Sequence, residues 1–133
     1  MKTARIILGI LYLAGAVANI ALTVINSPAS YNSFADEALV AFYREAWARV
    51  AIPNMTLFIP LLIAFEITLG VFFLIGGRFL KIALVGGILF CLGTVPFGLK
   101  MMSTNLPLGL IQAFMLWKEL RQGNDMKSTQ ENL

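Results

Sequence analysis

Residues 57 to 75 read LFIPLLIAFEITLGVFFLI, and Glu66 at their middle is the only ionisable side chain among them. About 20 apolar residues in a helix are enough to cross a hydrocarbon core. A charged side chain at bilayer depth costs roughly 2.5 to 3.5 kcal/mol on insertion scales, so such a residue usually faces a bundle interior and serves a function. Two interpretations of Glu66 stay open. It is either a protonatable functional residue or a hydrogen-bonding contact between helices, worth on the order of 0.6 kcal/mol.

The rest of the chain also has the composition of a membrane protein. Hydrophobic residues make up 59% of the chain and charged residues only 13%, about half the charged fraction of a soluble domain. Further apolar runs cover residues 6–25, 82–99 and 106–120, and none shows the alternation of a β-barrel strand. We therefore expect an all-α integral membrane four-helix bundle over residues 1–121, with a flexible polar cytoplasmic tail over 122–133.

Basic residues are distributed unevenly between the two sides of this predicted bundle. Four spans place both termini on one side, together with seven of the ten Lys and Arg residues, and leave Arg44, Arg49 and Lys100 on the other. The positive-inside rule then predicts cytoplasmic termini. The net charge of +3 reflects this topology, so we expect the lipid bilayer as a partner and no nucleic acid.

The connection between the first two spans has a helical pattern of its own. Ser33 and Asp36 resemble a capping box, and Pro53 provides a stop. Between them, apolar residues recur at helical spacing: Leu39, Phe42, Tyr43, Ala46 and Val50. The pattern predicts an amphipathic helix over the outer mouth of the bundle. Either it is a lid that controls access to the centre, or it only buries an apolar face.

Small residues form stripes along the predicted spans. Gly15, Gly70, Gly87 and Gly98 are the predicted helix-packing positions, because glycine allows helix backbones to approach closely. Gly70 lies one helical turn from Glu66. These stripes should therefore face the interior of the bundle.

Polar residues on the spans fall at similar predicted depths. At about 1.5 Å per residue, Glu66 and Gln112 lie near the span centres, Asn19 and Thr94 lie within about 6 Å on the outer side, and Tyr12 lies deeper. The sequence predicts a binding pocket formed by these five residues and open to the outer side. The alternative is a dry set of interhelical hydrogen bonds without a cavity.

Several chemistries lack the residues they need. The chain contains no His, and Cys91 is its only cysteine. Bis-His haem ligation, His-based zinc sites and imidazole catalysis are excluded, as is a dithiol pair within the chain. We predict no catalytic residue and no metal site, and we expect no autonomous catalyst. Any cofactor would be lipophilic, such as a quinone, or would belong to a partner.

Two segments resemble the DoxX-like family of small membrane proteins: RIILGILYLAGAVANI, residues 5 to 20, and FEITLGVFFLIGGRFLKIAL, residues 65 to 84. The family pattern of a Glu, a following Gly, a leucine-rich run and a Gly-Arg pair is matched by Glu66, Gly70, Gly77 and Arg78. The chain departs from the pattern where many members have a Lys, here Ala18 or Asn19, and it has no His in the third span.

The resemblance implies a four-helix bundle in a bacterial cytoplasmic membrane and a redox-related accessory role, linked to quinones and exercised with a membrane protein partner or a second copy. Two alternatives remain. A proton-coupled transporter would use Glu66 to exchange a proton for a lipophilic or cationic substrate. A structural subunit would use its glycine-rich faces to bind a larger complex.

Overall fold

The computed structural model describes residues 1–26 and 31–131, which are helical almost throughout and contain no β-strand. Four helices are long: α1 (Lys2–Asn26), α4 (Met55–Ile75), α5 (Arg78–Thr94) and α6 (Leu99–Glu131). Within the described residues, three stretches are long and apolar enough to cross a membrane: Lys2–Ile25, Ala41–Ile75 and Arg78–Phe97. The predicted all-α membrane class is therefore confirmed at this level.

The long helices pack antiparallel in chain order. Helix α1 lies along α4, α4 along α5, and α5 along α6. The core between them consists mainly of apolar side chains, including Leu8, Tyr12, Leu69, Phe73, Leu84 and Met115. Large apolar side chains such as Val24, Leu89 and Phe114 point outward and are more than half exposed. An apolar exterior around a close-packed interior suits a lipid environment.

The tight turn between α4 and α5 is held by the start of α1. Gly76 and Gly77 adopt positive φ angles of 74° and 57°, which glycine reaches without steric cost. Arg5 Nη1 donates a 3.1 Å hydrogen bond to the carbonyl oxygen of Ile75. The guanidinium fills the space that a side chain at Gly76 would need. The first, fourth and fifth helices are thus tied together at one end of the molecule.

The segment between α1 and α4, called the outer connection after the predicted topology, differs from the single amphipathic helix that the sequence predicts. It contains α2 (Ser33–Glu37), α3 (Ala41–Ala46), a π-helical turn (Trp47–Ala51) and a 3₁₀ turn (Ile52–Asn54) that continues into α4. Two residues predicted to face inward, Phe42 and Val50, are 74% and 53% exposed. Pro53 has no backbone N–H to donate to the preceding turn. The π-helical turn before it is wider than an α-helical turn and rotates the following side chains, so that Ala51 is buried and Val50 is not.

The third predicted span also ends earlier than expected. Helix α5 stops at Thr94, and Pro96 lies in a 3₁₀ turn, Val95–Phe97, where the helix cannot continue. Gly98, predicted as a helix-packing residue, lies in this turn with φ 133°. An added Cβ there would lie 3.0 Å from the carbonyl oxygen of Glu37. Gly98 therefore serves a turn that packs on α2 and not a contact between long helices.

Helix α6 extends beyond the predicted fourth span, residues 106–120, at both ends. It begins at Leu99 and continues to Glu131, so most of the tail predicted to be flexible is helical. No proline follows Pro107 in this segment. The hydroxyls of Ser128 and Thr129 donate to the carbonyl oxygen of Asp125 within the last turns. Good helix formers lead into the polar end at residues 118–122, KELRQ, whereas Gly123, Asn124 and Asp125 that follow are poor ones.

Candidate functional site

A cavity of about 380 Å³ lies between α1, α4, α5, the start of α6 and the outer connection. Its polar lining comes from Asn19, Glu66, Thr94 and Asn105. The remaining walls are apolar and largely aromatic, with six rings from Tyr31, Phe34, Trp47, Phe58, Phe90 and Phe97. Ligand pockets typically measure about 300 to 1,000 Å³ and combine apolar walls with a few polar groups. The cavity has this character.

Glu66 supplies the carboxyl group of the cavity and is only 6% exposed. Asn19 Nδ2 donates a 2.8 Å hydrogen bond to Glu66 Oε2. Glu66 Oε1 lies against Gly15, where an added Cβ would be 2.9 Å away. Within residues 1–26 and 31–131, Oε1 accepts no hydrogen bond. One carboxyl oxygen is therefore fixed by the protein, and the other has capacity for a further donor.

A chain of hydrogen bonds connects Glu66 to the outer connection. Tyr31 Oη donates to Asn19 Oδ1 at 2.7 Å, and Trp47 Nε1 donates to the carbonyl oxygen of Tyr31 at 2.9 Å. Tyr31 is buried and packs with Ala51, Met55 and Ile59 in a second apolar cluster. Since Asn19 Oδ1 accepts from Tyr31, the Asn19 amide presents its Nδ2 donor to Glu66. The outer segment thereby orients the residue that holds the carboxyl group.

A second polar pair borders the cavity on the side of α5 and α6. Asn105 Nδ2 donates a 2.8 Å hydrogen bond to Thr94 Oγ1. Thr94 Oγ1 in turn donates to backbone oxygens of its own helix, at 2.9 Å to Phe90 and 3.1 Å to Cys91. The Thr94 hydroxyl therefore donates within its own helix, and the hydrogen bond from Asn105 to Thr94 joins α6 to α5.

Tyr12 and Gln112, predicted for the same pocket, form a separate and deeper layer. Gln112 Nε2 lies 3.1 Å from Tyr12 Oη, within hydrogen-bonding distance, and 3.6 Å from Cys91 Sγ. Gln112 is fully buried, and neither residue lines the cavity. Gly87 makes this layer possible, because a Cβ there would overlap Gln112 Oε1. Of the five predicted pocket residues, Asn19, Glu66 and Thr94 line the cavity, and Tyr12 and Gln112 lie outside its lining.

The two polar layers are spaced by two helical turns. In each of three helices, a residue of the outer layer and a residue of the inner layer are seven positions apart. These pairs are Asn19 and Tyr12 in α1, Thr94 and Gly87 in α5, and Asn105 and Gln112 in α6. Seven residues correspond to about 10 Å along a helix and return to nearly the same face. The outer layer borders the cavity, whereas the inner layer is packed and its polar groups satisfy one another.

Glycines at two other predicted positions bring the helices together around the site. At Gly70 an added Cβ would lie 2.7 Å from the side chain of Leu13 and 3.0 Å from the carbonyl oxygen of Gly9. Gly15 gives the Glu66 carboxyl its space in the same α1–α4 seam. The close approach of these helices places Asn19 within hydrogen-bonding distance of Glu66.

Three cavity residues with hydrogen-bonding side chains were missed at the level of sequence: Tyr31, Trp47 and Asn105. Tyr31 and Trp47 belong to the irregular outer connection, where helical spacing gives no positional signal. Asn105 lies just before the predicted start of the fourth span, although its seven-residue spacing from Gln112 was available as a signal. No group of three potential metal ligands occurs in the described part of the chain.

Comparisons with known proteins give no relative whose function could be compared with this cavity. No family model, no curated protein and no solved structure matches the chain. The function of the chain is therefore inferred from the cavity and its residues.

Proposed function

We propose that this chain is a four-helix integral membrane protein whose outer cavity binds a small lipophilic ligand. The observation that carries the proposal is the cavity of about 380 Å³ with six aromatic rings and one carboxyl group. A dry set of interhelical hydrogen bonds would leave no such volume. The inner layer around Gln112 has that dry character, and the outer layer around Glu66 does not.

We place the protein in a bacterial cytoplasmic membrane with both termini in the cytoplasm. The Arg5 contact with Ile75 and the position of Lys81 Nζ beside Gly123 support the gathering of basic residues at one end. Helix α6 serves as the fourth span over residues 106–120. Its Gln112 and Met115 face the interior, and Arg121 stacks on Trp117 at 4.8 Å, as suits an interfacial end.

The resemblance to DoxX-like proteins makes a quinone the first ligand to consider, in a redox-related accessory role with a membrane protein partner or a second copy. The aromatic walls would stack on a quinone ring. The cavity itself supplies binding and orientation, and the partner would supply electron transfer. The outer connection, tied to Asn19 through Tyr31, covers the cavity on this account.

Quinone binding can be followed through Trp47, which lines the cavity. Trp117, the other tryptophan of the chain, lies on the exposed face of α6. In a Trp117→Phe variant in neutral detergent, we expect a short-chain ubiquinone analogue to quench Trp47 fluorescence in a saturable way. The Trp47→Phe protein, which retains Trp117, is the matched control and should show only the linear quenching caused by partition into the micelle. Linear quenching of both proteins would contradict quinone binding in the cavity.

Proton-coupled transport is a second candidate, favoured by the buried Glu66 carboxyl group, whose Oε1 accepts no hydrogen bond from a described residue. A cation that enters the cavity would take the place of the carboxyl proton, which then passes to the solvent. We expect proton release when a lipophilic quaternary ammonium, which carries no proton of its own, is added to weakly buffered protein. A pH indicator dye measures the release, and Glu66→Gln should abolish it. Equal release from both proteins would exclude Glu66 as the proton source.

A further inference from the structure

We infer that the cavity is built for a protonated lipophilic amine, which donates an N–H hydrogen bond to the Glu66 carboxyl group while its apolar body lies among the aromatic rings. This inference rests on the proposed function, since it names the chemical class of the ligand for the same cavity. It follows from three properties of the lining: its hydrogen-bonding capacity, its charge and its aromatic surface.

The hydrogen-bonding capacity of the lining favours a donor ligand. Tyr31 Oη, Trp47 Nε1 and one N–H of Asn19 are already engaged in the chain that leads to Glu66 Oε2. Glu66 Oε1 accepts from no described residue. A quinone brings carbonyl acceptors and would need donors that the lining has mostly committed. An ammonium group brings the donors that Oε1 lacks.

The charge of the lining points the same way. Of the fourteen residues that border the cavity, all in the described part of the chain, Glu66 is the only one with an ionisable acid or base other than the phenol of Tyr31. No described Lys or Arg side chain approaches the carboxyl group. An anion at bilayer depth is expensive without a countercharge. A cationic ligand supplies that countercharge and makes a charge-assisted hydrogen bond, which is stronger than a neutral one.

The aromatic walls complete the match to a cation with an apolar body. Cations bind over the faces of aromatic rings, with Trp the best partner, and the attraction grows when the site excludes water. Trp47 from the outer connection and Phe90 from α5 both line the cavity. Met55 and Met101 add adaptable apolar contacts. The volume suits an amine with one or two rings.

A matched pair of ligands tests the inference: 4-phenylbutylamine, protonated at neutral pH, and 4-phenylbutanol, which has the same apolar body and no charge. Affinity is measured by Trp47 fluorescence in the Trp117→Phe protein, in neutral detergent. We expect the amine to bind about tenfold more tightly than the alcohol, as one charge-assisted hydrogen bond would give. Glu66→Gln should bring the two affinities together.

A second variant keeps the carboxyl group and crowds chiefly Oε1, the oxygen that accepts from no described residue. Gly15→Ala places a Cβ 2.9 Å from the present position of Glu66 Oε1. We expect it to weaken amine binding more than alcohol binding, so the inference stays testable if Glu66→Gln does not fold. Equal affinity of amine and alcohol for the parent protein would overturn the inference and leave ligand binding intact. Saturable binding of neither ligand nor the quinone would overturn the proposed function as well.

Discussion

Gly87→Ala is expected to destabilise the protein by about 2 to 4 kcal/mol, from overpacking and from the loss of a buried hydrogen bond. The new Cβ would overlap Gln112 Oε1 and lie 2.7 Å from Tyr12 Oη. Gln112 is fully buried and cannot turn towards solvent. Either α5 moves away from α6, or the Gln112 amide gives up Tyr12. Thermal unfolding in detergent, followed by near-UV circular dichroism, measures the effect.

Gly93→Ala is the matched control in the same helix. An added Cβ at Gly93 meets no atom within 4 Å, so the change should stay within about 0.5 kcal/mol. Adding Gln112→Ala to Gly87→Ala should recover part of the lost stability, because it removes the side chain that clashes. If Gly87→Ala and Gly93→Ala behave alike, the tightly packed inner layer is not present in the folded protein.

Depth along a helix could be predicted from the sequence only where the ends of the span were predicted well. The fixed rise per residue placed Glu66, Asn19 and Thr94 at similar levels, and these three residues do line one cavity. Gln112 is predicted at the depth of Glu66 but lies in the deeper layer beside Tyr12. Helix α6 begins at Leu99, seven residues before the predicted span, and Asn105 therefore lies at the level of the cavity instead. Apolar spacing alone does not show that residues 99–105 belong to this helix.

The outer connection shows the second limit. Apolar spacing over residues 39–50 indicates a helix with one inward face. The structure breaks that helix at Ala38 to Val40 and widens it before Pro53, so Phe42 turns outward and Tyr31, from the preceding segment, reaches Asn19. These departures from a regular helix depend on the contacts that the segment makes with residues distant in the sequence. Predicting them would require the position of α1 and α4 beforehand.

Asn19→Leu is expected to separate the outer connection from Glu66, because Asn19 holds both through its amide. The substitution removes the donor to Glu66 Oε2 at 2.8 Å and the acceptor of Tyr31 Oη at 2.7 Å. Leaving a buried polar group without a partner costs about 1 to 3 kcal/mol. We expect hydrogen exchange of backbone amides in α2 and α3 to accelerate by about tenfold, the equivalent of 1.4 kcal/mol in local opening.

Two controls separate this link from a general loss of stability. Thr23→Val removes a hydrogen bond to the Asn19 backbone within α1 and leaves the Asn19 amide in place, so exchange in α2 and α3 should stay near the parent rate. Tyr31→Phe removes only the hydrogen bond from Tyr31 Oη to Asn19. It should accelerate exchange in α2 and α3, while Asn19 keeps its hydrogen bond to Glu66.

The Glu66 side of the link follows from a double-mutant cycle. Replacing both partners of a hydrogen bond by apolar groups costs less than orphaning one, so Glu66→Leu added to Asn19→Leu should restore part of the global stability without slowing exchange in α2 and α3. This combination of results would show that Asn19 links Glu66 and the outer connection, and that the two contacts contribute separately to stability. Exchange in α2 and α3 that is unchanged by Asn19→Leu would mean that apolar packing around Tyr31 alone holds the outer connection, and that ligand contact with Glu66 has no route to the segment covering the cavity.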